Sequence, residues 1–106
     1  MPMDERGYFI PLPGDATLRV RYQKDRGRIL RFTVQLEAYI EDTWTPITRY
    51  DTTHRFVNRD DLKPDGSQIK SPPMAFADYN DALNYVIRDL RLNYQLYIER
   101  YLRWKN

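Results

Sequence analysis

The densest set of chemistry-bearing residues in the chain is the run RYDTTHRFVNRDD from Arg49 to Asp61, which holds the only histidine, His54. An unperturbed imidazole titrates near pH 6.5, so His54 suits proton transfer at neutral pH. Ribonuclease chemistry needs a base for a 2′-hydroxyl proton, an acid for the leaving oxygen and a cation for the charge that develops on phosphorus. His54 fits the first role, Arg49, Arg55 or Arg59 the third, and Asp51 or Asp60 can orient the ring; Tyr50 is a weak acid. A structural reading stands beside this one: His54 donates to a carboxylate, Arg59 pairs with an aspartate, and Asp60 or Asp61 prepares the following turn. A metal reading needs more. On a single strand His54, Asn58 and Asp60 share a face but span about 13–20 Å at ~3.3 Å per residue, too far for one ion, so no metal site is assigned.

A second group is basic. Arg19, Arg21, Lys24, Arg26, Arg28 and Arg31 face a single acid, Asp25, between Thr17 and Arg31, and 13 of the 17 basic residues in the chain are arginine. The planar guanidinium binds phosphate bidentately and stacks on rings, so this hairpin is the expected RNA-binding element; an ordinary solvated hairpin is the alternative. The net charge of only +2 gives no global argument for nucleic acid.

These residues need a scaffold, and 106 residues make one domain, 1–106. Residues 1–16 read as an extended lead-in with three prolines and two glycines, in which Tyr8, Phe9, Ile10 and Leu12 are able to fasten an edge strand. Residues 17–71 read as a β-meander. Leu18, Val20 and Tyr22 alternate with Arg19, Arg21 and Gln23, and Leu30 to Ile40 keeps strict period two. KDRGR turns the chain at Gly27. Trp44 to Thr52 forms a third strand, with Pro46 marking an edge or a start, and a fourth runs from Thr53 to Asp60. KPDGS is a turn, followed by a short strand over Gln68 to Ser71. Residues 78–104 read as one long helix N-capped by Asp78, with Leu83, Val86, Ile87, Leu90 and Tyr94 on its buried face. The fold class is therefore α+β, a four- to five-stranded, mainly antiparallel meander packed on one long C-terminal helix.

That helix, about 40 Å long, is expected to outrun strands of ordinary length, about 20 Å. The overhang would carry Tyr94, Tyr97, Tyr101 and Trp104, amphipathic rings suited to an interface with a cognate partner or a second copy.

The run RYDTTHRFVNRDDLKPDG, followed by a long helix, resembles a family of small uncharacterised prokaryotic proteins. Its approximate signature is R-Y-D-[TN]-x-H-G-x-x-H-x-D and then a proline–aspartate–glycine turn, itself similar to the motif of the TumE-like toxins of toxin–antitoxin pairs. The likeness runs from Leu30 to Leu102. Arg49, Tyr50, Asp51, Thr52, His54, Phe56, Arg59 and Asp60 stand at motif positions, whereas Arg55 replaces the glycine and Asn58 the second histidine. The resemblance implies an RNA-directed, toxin-like protein with an antitoxin-like partner. Asn58 cannot deliver a proton at neutral pH, so a degenerate ribonuclease is among its readings.

Much other chemistry is excluded. No cysteine is present, and glycines at 7, 14, 27 and 66 build neither a P-loop nor G-x-G-x-x-G. No cofactor is expected. The N-terminal stretch holds no signal-like apolar run and nothing approaches a membrane span, so a cytoplasmic protein without membrane contact is expected.

Overall fold

The computed structural model describes residues 4–52 and 56–106. Six strands, β1 (Asp4–Leu12), β2 (Ala16–Asp25), β3 (Arg28–Ile40), β4 (Thr43–Asp51), β5 (Asn58–Leu62) and β6 (Gln68–Lys70), precede a single helix, α1 (Tyr79–Lys105). The strands form one sheet in chain order, every neighbour antiparallel. The fold is the α+β meander expected from the alternation, with one strand more than expected. The additional strand is β1. All nine of its residues pair with β2, from Asp4 opposite Lys24 to Leu12 opposite Ala16, so the lead-in is largely sheet. The fourth strand begins at Asn58 rather than Thr53; Thr53, His54 and Arg55 lie outside the described residues.

Two hairpins are closed by two-residue loops, Arg26–Gly27 and Glu41–Asp42, with all four φ angles between 50° and 80°. Positive φ at both central residues is the type I′ geometry, whose twist matches that of the strands it joins. Gly27 adopts it without a Cβ penalty, whereas Glu41 and Asp42 do not.

Leu18, Val20, Phe32, Val34, Leu36 and Ala38 point to one face and are buried against Ala82, Leu83, Val86 and Leu90 of α1. Burying each larger side chain contributes about 1.5–3 kcal/mol relative to exposure. The strict alternation of β3 breaks at one place. A register shift between Gln23 and Lys24 pairs them with Arg31 and Ile29, leaving Leu30 as the extra residue, and Leu30 is exposed while Ile29 packs on the core. A second shift, between Leu36 and Glu37, accommodates Pro46 inside β4. Pro46 is not a strand start, but it does lie in the part of β4 that has only β3 beside it, because β5 pairs with β4 over Thr48–Asp51 alone. It sits next to the bulged residue Ile47, at a local edge where proline's missing N–H is tolerated.

The helix does not overhang the sheet. α1 runs beside β3 in the same direction, and β3 has thirteen residues. That is about 43 Å of strand under about 40 Å of helix. At one end Asp78 accepts from the Asp81 N–H at 2.8 Å, and Asn80 binds the Ile29 N–H at 2.9 Å and the Gly27 carbonyl at 3.1 Å. At the other, Tyr94 donates to the Pro13 carbonyl at 2.9 Å and Lys105 pairs with Glu41 at 3.3 Å. Tyr94 and Tyr101 are buried in the protein's own core instead of projecting from it. No described helix is long and apolar enough to cross a membrane.

The turn geometry gives a direct test. Asp42→Gly relieves a positive φ at a non-glycine position and is expected to raise the free energy of unfolding in urea by about 0.5–1 kcal/mol, net of the glycine's chain entropy. An unchanged or lower midpoint would show that the turn carries no such strain.

Candidate functional site

Alternation divides the Arg49–Asp61 cluster between the two faces of the sheet. Tyr50 pairs with Arg59 and Thr48 with Asp61 across β4 and β5, and these four side chains point toward the helix. Arg49 pairs with Asp60 and Asp51 with Asn58, and these belong to the opposite, uncovered face. Of the residues expected to do chemistry together, Arg49, Asp51 and Asp60 therefore share a face, and Arg59 lies on the other side. His54 lies outside the described residues.

Beneath the helix the polar groups are largely paired with one another, although Nε of Arg59 and of Arg100 are buried without a hydrogen bond. Tyr50 and Tyr97 both donate to Asp89 Oδ2, each at 2.8 Å, and Asn93 Nδ2 donates to Oδ1 at 2.9 Å. Arg59 Nη1 donates to the Tyr97 hydroxyl at 3.3 Å. Asp61, only 3% exposed, is held by Arg100 Nη2 at 2.8 Å and by the Thr48 hydroxyl at 3.2 Å. Arg59 Nε lies 3.5 Å from Asp61 Oδ1, an ion-pair distance at which its N–H makes no hydrogen bond. The guanidinium groups also stack: Arg59 and Arg100 over Tyr97 at 5.5 and 5.4 Å, Arg100 over Trp104 at 5.1 Å, and Lys63 over Trp104 at 5.3 Å. This is the arginine–aspartate pairing expected of a structural cluster, built larger.

Asp89 and Asn93 were not legible as members of it. Their signal is spacing, since residues 89, 93 and 97 fall four apart on one helix face. Burial, reinforced by the bond to Asp89, raises the phenol pKa of Tyr50 far above its ordinary value and pushes that of Tyr97 up to about 12.

The uncovered face is different. Arg19, Arg21 and Gln23 on β2, Arg31, Thr33 and Gln35 on β3, and Arg49 on β4 share it through the registers Arg19–Gln35, Arg21–Thr33, Gln23–Arg31 and Gln35–Arg49. Exposed Phe9, Tyr39 and Trp44 stand at one end of it. A cleft of about 500 Å³ is lined by Arg21, Gln23, Arg31, Thr33, Glu5 and Asp51. Neither Arg21 nor Arg31 forms an ion pair among the described residues. Asp60, by contrast, is buried and paired with Lys70 at 3.2 Å. The six basic hairpin residues are thus not one surface. Arg19, Arg21 and Arg31 belong to the uncovered face, Arg26 and Arg28 to the turn, and Lys24 lines a separate hollow with Tyr8 and Asn80 on the helix side. Among the described residues no group of three or more metal-ligating side chains comes together.

The buried phenols dictate an alkaline limit. A pKa raised in the folded state means that the folded protein holds the proton more tightly than the unfolded chain, whose tyrosines titrate near 10. The stabilisation is complete below pH 10; the share from Tyr97 is lost as pH rises through about 12, and that from Tyr50 at higher pH still. In a spectrophotometric titration, two of the nine tyrosines are expected to ionise only with unfolding. All nine ionising together near pH 10 in folded protein would refute the buried arrangement.

No curated protein and no solved structure matches the chain. A family model does match, over residues 1–106, and by it the chain belongs to the family described as domain of unknown function (DUF7718).

Proposed function

We propose that this protein binds single-stranded RNA across the uncovered face of its sheet, as a toxin–antitoxin-like protein of the cytoplasm. The observation that carries the reading is the cleft where Arg21 and Arg31, unpaired among the described residues, meet Asp51, Thr33 and Gln23. Arginines neutralise and grip phosphates, the hydroxyl and amide add hydrogen bonds, and Phe9, Tyr39 and Trp44 on the same face supply rings on which bases stack. The resemblance of the Arg49–Asp60 run to the toxin motif supports the same partner class. Cleavage is the extension of this reading. Asp51 lines the cleft and His54 follows it by three residues in the chain, so a proton-transfer group and a cation belong to one neighbourhood of sequence.

Fluorescence anisotropy with a labelled oligoribonucleotide at several salt concentrations tests the binding. Arg21→Ala with Arg31→Ala is expected to weaken binding about tenfold or more and to lower the salt slope by roughly one per lost phosphate contact. Wild-type protein that fails to bind at low salt would overturn the proposal. Total RNA incubated with wild type and His54→Ala, with and without EDTA, then separates the two forms of it. Cleavage by wild type alone assigns a ribonuclease; binding without cleavage assigns a non-catalytic RNA-binding protein.

A second reading, a module that binds a protein partner or itself through the C-terminal helix, is favoured by a different surface from the tyrosine face. Leu92 and Leu96, one turn apart on the outer side of α1, are 74% and 63% exposed. Exposed leucines at this spacing are a seam that a second helix can cover. Sedimentation velocity over a concentration series is expected to show dimer that Leu96→Glu abolishes; a strict monomer throughout removes this reading.

A further inference from the structure

On the uncovered face, next to the arginine cleft along β2, lies a second hollow of about 490 Å³. This is within the range in which small organic ligands are held, about 300–1,000 Å³. Phe9, 57% exposed, and Trp44, 49% exposed, line it with Pro11 and Leu12, so its walls are mainly apolar and aromatic. One charged group is buried among them. Glu37 lines the hollow, yet its side chain is only 9% exposed. Its carboxylate accepts a hydrogen bond from Gln35 Nε2 at 2.7 Å and forms an ion pair with Arg19 Nε at 3.2 Å, and both contacts end on Oε2. No hydrogen bond to Oε1 is formed among the described residues, so a residue that lines the hollow keeps an acceptor with two lone pairs.

We infer that this hollow is a base pocket selective for guanine, in which the base stacks on Trp44 and donates to Glu37; the inference rests on the RNA-binding reading above. A carboxylate oxygen only accepts hydrogen bonds, so it favours a ring edge that presents donors side by side. Guanine presents N1–H and the N2 amino group together on one edge. Adenine and cytosine place a lone pair beside their amino group, and uracil flanks its single N–H with two carbonyls, so each sets an acceptor against the carboxylate. A cationic ligand fits less well. Arg19 already neutralises Glu37 and its guanidinium stands 5.2 Å from the Phe9 ring centroid, so an incoming ammonium or guanidinium meets a like charge on that side and has only Asp15 of the lining left to pair with. A neutral, flat, donor-edged ring meets no such opposition. Position supports the same ligand. Arg19 and Arg21 are alternate residues of one strand, about 7 Å apart along it, so a strand of RNA held by the cleft passes directly over the hollow.

The experiment compares a short oligouridine with the same oligomer carrying one guanosine, or one inosine, at its centre. Wild type is expected to bind the guanosine oligomer about tenfold tighter than oligouridine, the scale of one good base contact, with inosine between them. Glu37→Gln is expected to erase that ratio between the two oligomers, while the release of Arg19 strengthens binding of both alike. Circular dichroism melting reports whether that variant keeps its fold. Trp44→Ala changes an exposed ring, so it tests the pocket independently and is expected to bring guanosine binding down to the oligouridine level. Equal binding of all three oligomers by wild type overturns the pocket and leaves the RNA-binding face standing. Binding of none overturns both, and preferential binding of an arginine-rich peptide overturns the pocket in favour of a protein ligand.

Discussion

One helix covers a six-stranded sheet, and one helix covers only one face. Strand side chains alternate between faces, so each residue of β2 to β5 outside the bulges is assigned either to the layer under the helix or to the uncovered face. That constraint sorts the polar residues. Tyr50, Thr48, Arg59 and Asp61 fall on the sealed side, where a donor or charge left unpartnered costs about 1–3 kcal/mol or more. The helix meets the demand with Asp89, Asn93, Tyr97 and Arg100. Had those four been apolar, the strands could not have kept their own sequence.

The network contributes more to placement than to net stability. A buried ion pair returns in Coulombic attraction little more than its desolvation costs, but breaking one side of it is expensive. Asp61 shared by Arg100 and Thr48, with Arg59 alongside, therefore penalises any rotation or slip of α1 against β4 and β5. The stack of Arg59, Tyr97, Arg100 and Trp104 adds a directional restraint of the same kind. Asn80 fixes the other end of the helix to the β2–β3 turn. Pinned at both ends along a strand of equal length, the helix stiffens the sheet from behind. A stiff sheet keeps the opposite face preorganised, which lowers the ordering cost of whatever binds there.

Much of this was legible in the sequence, and the failures have specific causes. The alternation of Leu18, Val20, Phe32, Val34, Leu36 and Ala38 marks β2 and β3 because half-buried strands obey period two. Leu30 breaks the rule because a bulge is set by the partner strand, which local pattern does not contain. β1 was obscured by Asp4, Glu5, Gly7 and Pro11, poor strand formers that full pairing with β2 overrides. The overhang of α1 followed from assuming strands of ordinary length, and the thirteen residues of β3 remove it. In the site, residues contiguous in sequence looked like neighbours in space, yet Arg49 and Asp60 are back to back with Tyr50 and Arg59. Asp89 and Asn93 stayed hidden because polar helix residues ordinarily face water, and only the strand residues opposite them reveal that these do not.

The same sorting bears on how a chain of net charge +2 presents its arginines. Asp61 and Asp89 sit on the covered side, where they meet Arg59, Arg100 and the phenols. On the uncovered face Glu37 is tied by Arg19 and Asp60 by Lys70. Two acids that would oppose an anionic partner are thus held by cations of their own, while Arg21 and Arg31 line the cleft. Glu5 and Asp51 line the cleft beside them. An overall charge near zero therefore says little about either face, because charges buried in mutual pairs cancel in place and project almost no field. What a ligand meets is the residue set that alternation leaves outside, and here that set combines arginines, amides, exposed rings and one carboxylate oxygen without a donor.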